Sequence, residues 1–202
     1  MASKTYTLLA LGDSYTIGEG VSLYESFSYQ TIQLLRKAGH NFNAPEIIAR
    51  TGWTTDDLKN AIRNILLQTT YNYVSILIGV NDQYQGKNIN DYATNFELLL
   101  KQSISFAANN PSNVFVFSIP DWGQTPFASG RNQQQITKEI NKFNKVNESL
   151  ALQYKAHYIS IKGEIKDSMD LTFLAADQLH PSRKEYARWA NQLADEIQKL
   201  LA

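Results

Sequence analysis

Apolar residues in this chain follow two alternating patterns. Short unbroken apolar runs end at glycine or polar turn residues. Between them lie longer stretches in which apolar positions recur every three or four residues. The first run, Leu8-Leu9-Ala10-Leu11, closes at Gly12-Asp13-Ser14. A run of this length bounded by a turn signal predicts a buried strand. Helical spacing follows from about Glu25 to Lys37, with Phe27, Ile32, Leu34 and Leu35 as its apolar positions and Gly39 as its stop. This places Ser14 in the loop between the first strand and that helix. Ile47-Ile48-Ala49 predicts a second strand, which ends in Thr51-Gly52-Trp53. Thr54 and Asp57 have the spacing of a capping box. They open a helix with apolar positions at Leu58, Ile62, Ile65 and Leu66.

The alternation continues to the end of the chain. Tyr73 to Val80 is the strongest strand signal and breaks at Gly79-Val80-Asn81-Asp82. A helix is predicted from about Asp91 to Ala108, and a fourth strand within Asn113 to Ile119, centred on Val114-Phe115-Val116-Phe117. Pro120 to Arg131 reads as a loop. A long helix from about Asn132 to Tyr154 carries Ile136, Ile140, Phe143 and Leu150 on one face. His157 to Ile161 predicts a short fifth strand, and Gly163 to Pro181 reads mostly as loop. The last helix spans Ser182 to Leu201, with Ser182 and Glu185 as a second capping box. Tyr186, Trp189, Ala190, Leu193 and Ile197 mark its core face. Strands alternating with helices predict an α/β fold: a three-layer sandwich around a roughly five-stranded parallel sheet.

Composition narrows this picture without changing it. The 202 residues, 43% hydrophobic, suit one domain over residues 1–202 with a sizeable core. Nineteen basic residues balance nineteen acidic ones. No charge excess therefore points to nucleic acid or an anionic membrane as a partner. The absence of cysteine removes disulfides, thiolate metal sites and a cysteine nucleophile. No apolar leader precedes the first strand, and no apolar stretch is long enough to cross a bilayer. The expectation is a soluble, cytoplasmic protein without integral membrane contact; a secreted chain shorn of its leader reads the same way. The pattern says nothing of oligomeric state.

Candidate chemistry gathers at the strand ends. Ser14 follows the first strand, Gly52 the second and Asn81 the third. In a parallel sheet these ends share one edge, where ligands bind. Asp177-Gln178-Leu179-His180-Pro181 stands just before the last helix. A serine hydroxyl is a poor nucleophile until a base takes its proton. Histidine, which changes protonation near working pH, suits that task, so His180 is the candidate base. Asp177, three residues earlier, can accept a hydrogen bond from the other ring nitrogen and fix the tautomer. Acyl transfer also needs donors for an oxyanion. The N–H groups of Ser14 and Gly52 and the Asn81 side-chain amide are the candidates. His40 and His157 lie away from the predicted edge and read as structural or surface residues. Three scattered histidines without metal-ligand spacing predict no metal site. Gly12, Gly18 and Gly20 resemble a phosphate loop, but no Gly-Lys-Ser/Thr follows. A G-x-S-x-G elbow is absent too, since Thr16 stands where its second glycine belongs.

Gly12-Asp13-Ser14, Gly52, Gly79-Val80-Asn81-Asp82 and Asp177-Gln178-Leu179-His180-Pro181 resemble, in order and spacing, the four blocks of the SGNH hydrolases, also called the GDSL lipase/acylhydrolase family. The blocks extend over residues 12 to 181. Tyr15 departs from the leucine of the GDSL name, at a position that does not carry the chemistry. The resemblance implies a flavodoxin-like sheet. It also implies a triad of Ser14, Asp177 and His180 and an oxyanion hole of Ser14, Gly52 and Asn81, with no metal and no cofactor. The implied activity is hydrolysis of a small-molecule carboxylic ester through an acyl-enzyme. Thioesterase, lysophospholipase and carbohydrate deacetylase activities occur in the same family. A catalytically silent member that binds an acyl or sugar ligand is the rival reading. Tyr15, Trp53, Tyr84, Trp122, Phe127 and Phe173 lie near the blocks and are candidates to line a substrate pocket.

Overall fold

In the computed structural model, which describes residues 4–161 and 171–201, the five apolar runs become strands. They are β1 (Leu8–Gly12), β2 (Glu46–Ala49), β3 (Tyr73–Leu77), β4 (Val114–Phe117) and β5 (His157–Ile159). All pair in parallel, in the order β2-β1-β3-β4-β5. Leu11 stands opposite Ile48 on one side and Ile76 on the other. Every residue of β1, β3 and β4 is buried. This explains their unbroken apolar sequences: a central parallel strand is covered on both faces, so it has no solvent side to alternate with.

The helices are α1 (Ser14–Ile17), α2 (Phe27–Lys37), α3 (Thr55–Asn64), α4 (Val80–Tyr84), α5 (Ile89–Phe106), α6 (Gln133–Gln153) and α7 (Arg183–Leu201). From β1 the chain moves to β2 on one side, then returns past β1 to β3, β4 and β5 on the other. Right-handed crossovers therefore put α2 on one face and α3, α5 and α6 on the opposite face. The packing agrees. α2 lies against α7, whereas α5 lies against α3 and α6. Phe27 joins the α2 and α7 layer to the sheet, its ring 5.0 Å from Phe117 and 6.2 Å from Trp189. Burying such a side chain contributes about 1.5–3 kcal/mol.

Several boundaries differ from the sequence expectation. Ser14 is not in an open loop but is the first residue of α1, whose N-cap is Asp13. Val80 likewise belongs to a short helix rather than to β3. Helices of four or five residues complete little more than one turn, so no periodicity announces them. The third helix stops at Asn64, and Leu66 is 98% exposed. The predicted Thr54–Asp57 capping box is present, with Thr54 N–H donating to Asp57 Oδ2 at 2.9 Å. The Ser182–Glu185 box is not. Ser182 Oγ instead accepts from the Lys184 N–H at 3.2 Å. Glu185 turns inward and accepts from Trp189 Nε1 at 2.9 Å and from Arg188 at 3.0 Å. A carboxylate only 6% exposed needs those donors more than the helix start needs it. The predicted 120–131 loop contains two short 3-10 turns, Trp122–Gln124 and Pro126–Ala128. Of the loop expected from Gly163 to Pro181, residues 163–170 lie outside the described residues, as do residues 1–3 at the start of the chain.

The fold positions the site through its strand order. β1 and β3 are neighbours, yet the chain leaves them in opposite directions. The crevice outside their carboxyl ends is where an open α/β sheet binds ligands. Ser14 follows β1 and Asn81 follows β3.

Candidate active site

Ser14 Oγ lies 2.9 Å from His180 Nε2, although 166 residues separate them in sequence. His180 Nδ1 lies 2.6 Å from Asp177 Oδ2. The other oxygen of Asp177 accepts from the backbone N–H groups of Leu179 and His180, each at 3.0 Å. The carboxylate thus orders the turn that presents the imidazole. Partial burial pushes the Asp177 carboxyl up. The hydrogen bonds from His180 and the two N–H groups outweigh it and hold the carboxyl below its usual range. An ionised Asp177 accepts from Nδ1–H, which leaves Nε2 as an acceptor facing the serine hydroxyl.

The strand ends bring the remaining groups to the same place. One cavity of about 240 Å³ is lined by Ser14, Gly52, Asn81 and His180, together with Tyr15, Thr51, Val80, Tyr84, Trp122, Phe127 and Leu179. Among the described residues, the N–H groups of Ser14 and Gly52 find no backbone acceptor. The Ser14 N–H opens a helix, where such donors are left without an intrahelical partner. Asn81 Nδ2 donates one hydrogen to the Trp53 carbonyl at 2.9 Å. An amide nitrogen carries two, so the second stays available. The arrangement sets a serine hydroxyl within hydrogen-bond reach of an imidazole, in a cavity also lined by Gly52 and Asn81.

Two glycines make these placements possible. Gly52 has φ +82, a left-handed turn that side chains disfavour. Gly79, just before Asn81, has φ +126, and a Cβ there would stand 2.4 Å from Tyr92 Oη. That hydroxyl is itself fixed, 2.6 Å from Asn147 Oδ1 and 3.2 Å from the Ile78 carbonyl. Asp82, in α4, then ties that helix to the start of α3. Its carboxylate is 0% exposed and accepts from Thr55 N–H at 2.9 Å and Thr55 Oγ1 at 2.7 Å, with Lys87 at 3.6 Å. Burial raises its pKa, and the Thr55 bonds and Lys87 oppose that rise. Thr51 donates to Glu19, joining the Gly52 loop to the loop after α1.

The aromatic candidates separate. Tyr15 is buried, with its ring 4.9 Å from that of His180. Tyr84, Trp122 and Phe127 form the wall of the Ser14 cavity. Trp53 gives its carbonyl to Asn81, and its ring is not among the lining of that cavity. Phe173 lines an adjoining cavity, of about 300 Å³, which shares Tyr15, Trp122 and Leu179 with that of Ser14. His157 stacks on Phe115 at 5.0 Å, far along the sheet from Ser14. Sequence reasoning missed Gln83, whose Oε1 accepts from Trp122 Nε1 at 2.8 Å and so fixes the wall. Its place beside the Asn81 block was the only available signal. Among the described residues, no group of three or more His, Asp or Glu could hold a metal ion. No helix among them is long and apolar enough to cross a membrane.

Comparison with known proteins adds to this geometry. The profile of the GDSL-like lipase/acylhydrolase family matches residues 10–196. No curated protein matches the chain significantly. Among solved structures, it is similar to a lipase/acylhydrolase from Enterococcus faecalis, with 21% identity, a TM-score of 0.75 and 96% of each chain covered. It is also similar to the psychrotrophic esterase EstA from Pseudoalteromonas sp. (20% identity, TM-score 0.70, covering 97% of this chain and 98% of that one). A third is Axe2, an acetylxylan esterase from Geobacillus stearothermophilus (18% identity, TM-score 0.75, covering 95% and 94%). At these identities the likeness speaks for the fold alone.

Proposed function

The chain belongs to the GDSL-like lipase/acylhydrolase family, and from that premise we propose that it hydrolyses carboxylic esters through an acyl-enzyme on Ser14. The observation that carries this reading is the continuous line from Asp177 Oδ2 to His180 at 2.6 Å and on to Ser14 Oγ at 2.9 Å. His180 Nε2 takes the hydroxyl proton as Ser14 Oγ attacks the acyl carbon. Asp177 keeps the imidazole in the required tautomer and stabilises the imidazolium. The carbonyl oxygen gains negative charge in the tetrahedral intermediate. It is held by the N–H groups of Ser14 and Gly52 and by the free hydrogen of Asn81 Nδ2. The intermediate collapses as the alcohol leaves with the proton from His180. Water then attacks the acyl-enzyme, giving its proton to His180, and the acid departs as Ser14 regains its hydrogen.

The cavity size bears on the substrate. At about 240 Å³ it lies below the usual range of about 300–1,000 Å³ for pockets that hold drug-sized ligands. The reading is therefore a small-molecule ester with a short acyl group, cleaved by the chain as one catalytic domain without cofactor or metal. The test is a chain-length series of p-nitrophenyl esters from acetate to decanoate, run beside a fluorophosphonate probe. Covalent labelling of Ser14 with the highest kcat/KM at acetate or butyrate is the expected result. No labelling and no turnover would leave the silent, ligand-binding alternative in its place.

A further inference from the structure

The aromatic wall of the Ser14 cavity carries a cation. The Arg131 guanidinium carbon lies 5.3 Å from the ring centroids of both Tyr84 and Trp122, and 5.4 Å from that of Phe127. All three rings line the cavity that contains Ser14 and His180. Arg131 Nη2 donates to Tyr84 Oη at 3.3 Å. Arg131 is exposed, and no carboxylate among the described residues pairs with it. The acids on the packed elements are engaged elsewhere. Asp121 accepts from Gly123 N–H at 3.0 Å and Gln124 Nε2 at 2.8 Å. Glu139 accepts from Gln83 Nε2 at 2.8 Å and Gln135 Nε2 at 2.6 Å.

Contact with ring faces holds a guanidinium without neutralising it. The group has five N–H donors in a fixed fork that matches a carboxylate or a phosphate. One donor is used here, so most of the fork is free. Within the wall beneath, Trp122 is held in place, tied to Gln83, and Gln83 to Glu139. A cation is thus held on the rings that wall the Ser14 cavity, whose own lining is largely apolar and aromatic and does not include Arg131. The other flank of the same 122–131 segment points the same way. A groove of about 990 Å³ there is lined by Lys138, Lys142 and Lys145 and by no acidic residue.

We infer that Arg131, seated on Tyr84, Trp122 and Phe127, is a binding subsite for an anionic group, carboxylate or phosphate, carried by the ester substrate. This rests on the esterase reading and narrows its substrate class to esters that bear negative charge. A charge-assisted hydrogen bond of this kind is expected to favour the charged ester by about 10- to 100-fold.

The test uses esters matched in the reacting bond, one member charged and one neutral, and follows release of the phenol so that cleavage of a methyl ester is not counted. One pair is 4-acetoxybenzoate and its methyl ester, with 4-acetoxyphenyl phosphate as a third member, which places the charge on the alcohol side. The other is mono-p-nitrophenyl glutarate and its methyl ester, which places it on the acyl side. The wild-type protein is expected to prefer the charged member of at least one pair by about tenfold or more in kcat/KM. Arg131→Met is expected to remove that preference, and Arg131→Lys to keep part of it. High salt is expected to weaken the preference in wild type alone, which a purely structural arginine would not cause. Equal charge preference in wild type and Arg131→Met overturns the inference, as does a wild-type preference for the neutral esters. Binding of the same charged and neutral pairs to a Ser14→Ala protein, with and without Arg131→Met, reads the subsite without turnover. A loss of hydrolysis alone therefore counts against the esterase reading, and equal affinities alone count against the subsite.

Discussion

The side-chain amide of Asn81 donates to the backbone carbonyl of Trp53 at 2.9 Å, joining α4 to the loop after β2, 28 positions earlier. Trp53 follows Gly52 directly, so one hydrogen bond sets two of the proposed oxyanion donors relative to each other. Removing an oxyanion donor costs about 10²–10³ in kcat, or roughly 3–4 kcal/mol. Asn81→Ala is expected to lower kcat by at least that much with KM little changed, since the interaction is made in the transition state. Steady-state kinetics and melting temperature on one purified variant decide the point. A lower melting temperature with normal kcat would reduce Asn81 to a turn residue.

Ser14→Ala is expected to abolish ester hydrolysis and fluorophosphonate labelling while the circular dichroism spectrum stays unchanged. The serine is 5% exposed, and the loss of one hydroxyl in a cavity wall leaves packing intact. Turnover near the wild-type level would end the nucleophile assignment.

Asp177→Asn keeps the shape of the turn but can present an N–H to the imidazole, which reverses the tautomer. A fall in kcat of about 10²–10⁴ is expected. The carboxyl is held below its usual range, so what it adds to stability is present above its unfolded pKa. That contribution is lost as pH falls through the folded value. Stopped assays at pH 7 with melting curves at pH 3–7 test both parts. A variant with unimpaired kcat would show that Asp177 only shapes the loop.

Asp13 behaves in the opposite sense. It is fully buried, with Oδ1 accepting from Tyr15 N–H at 3.0 Å and Oδ2 without a hydrogen-bond partner among the described residues. Burial pushes its pKa from 3.8 up to about 8; the Tyr15 N–H opposes the rise and nearby Asp82 adds to it. A raised folded pKa means that stability is fully present below the unfolded value and is lost as pH rises through the folded one. Asp13→Asn is expected to flatten the decline in stability between about pH 4 and pH 8, by on the order of a few kcal/mol. Urea unfolding of both proteins at several pH values measures this. Parallel curves would exclude Asp13 as the cause.

The early end of α3 has its own consequence. Leu58 is 0% exposed and Leu66 is 98% exposed, though both sit on the same helical spacing in the sequence. Leu58→Ala is expected to cost about 2–5 kcal/mol. Leu66→Ala is expected to change stability by no more than about 0.5 kcal/mol. Denaturant unfolding of the two variants checks the difference, and equal losses would place Leu66 in the core.

Sequence alone determined the alternation of five apolar runs with helical stretches, and hence a parallel sheet between helix layers. It did so because a strand covered on both faces must be apolar throughout, and an amphipathic helix must repeat every three to four residues. The Gly-Asp-Ser and Gly-Val-Asn-Asp turns were legible because each closes such a run, and Asp177 and His180 because they stand three positions apart in one loop. Tertiary structure decided what depends on partners distant in sequence. The approach of Ser14 to His180 and the Asn81–Trp53 bond require the strand order, which no local pattern encodes. Glu185 left its expected cap because Trp189 and Arg188 offered donors inside. The one-turn helices at Ser14 and Val80 are too short to leave a period. Arg131 read as the last residue of a loop; only folding set it over three rings from two separate segments, where its charge acquires a place to act.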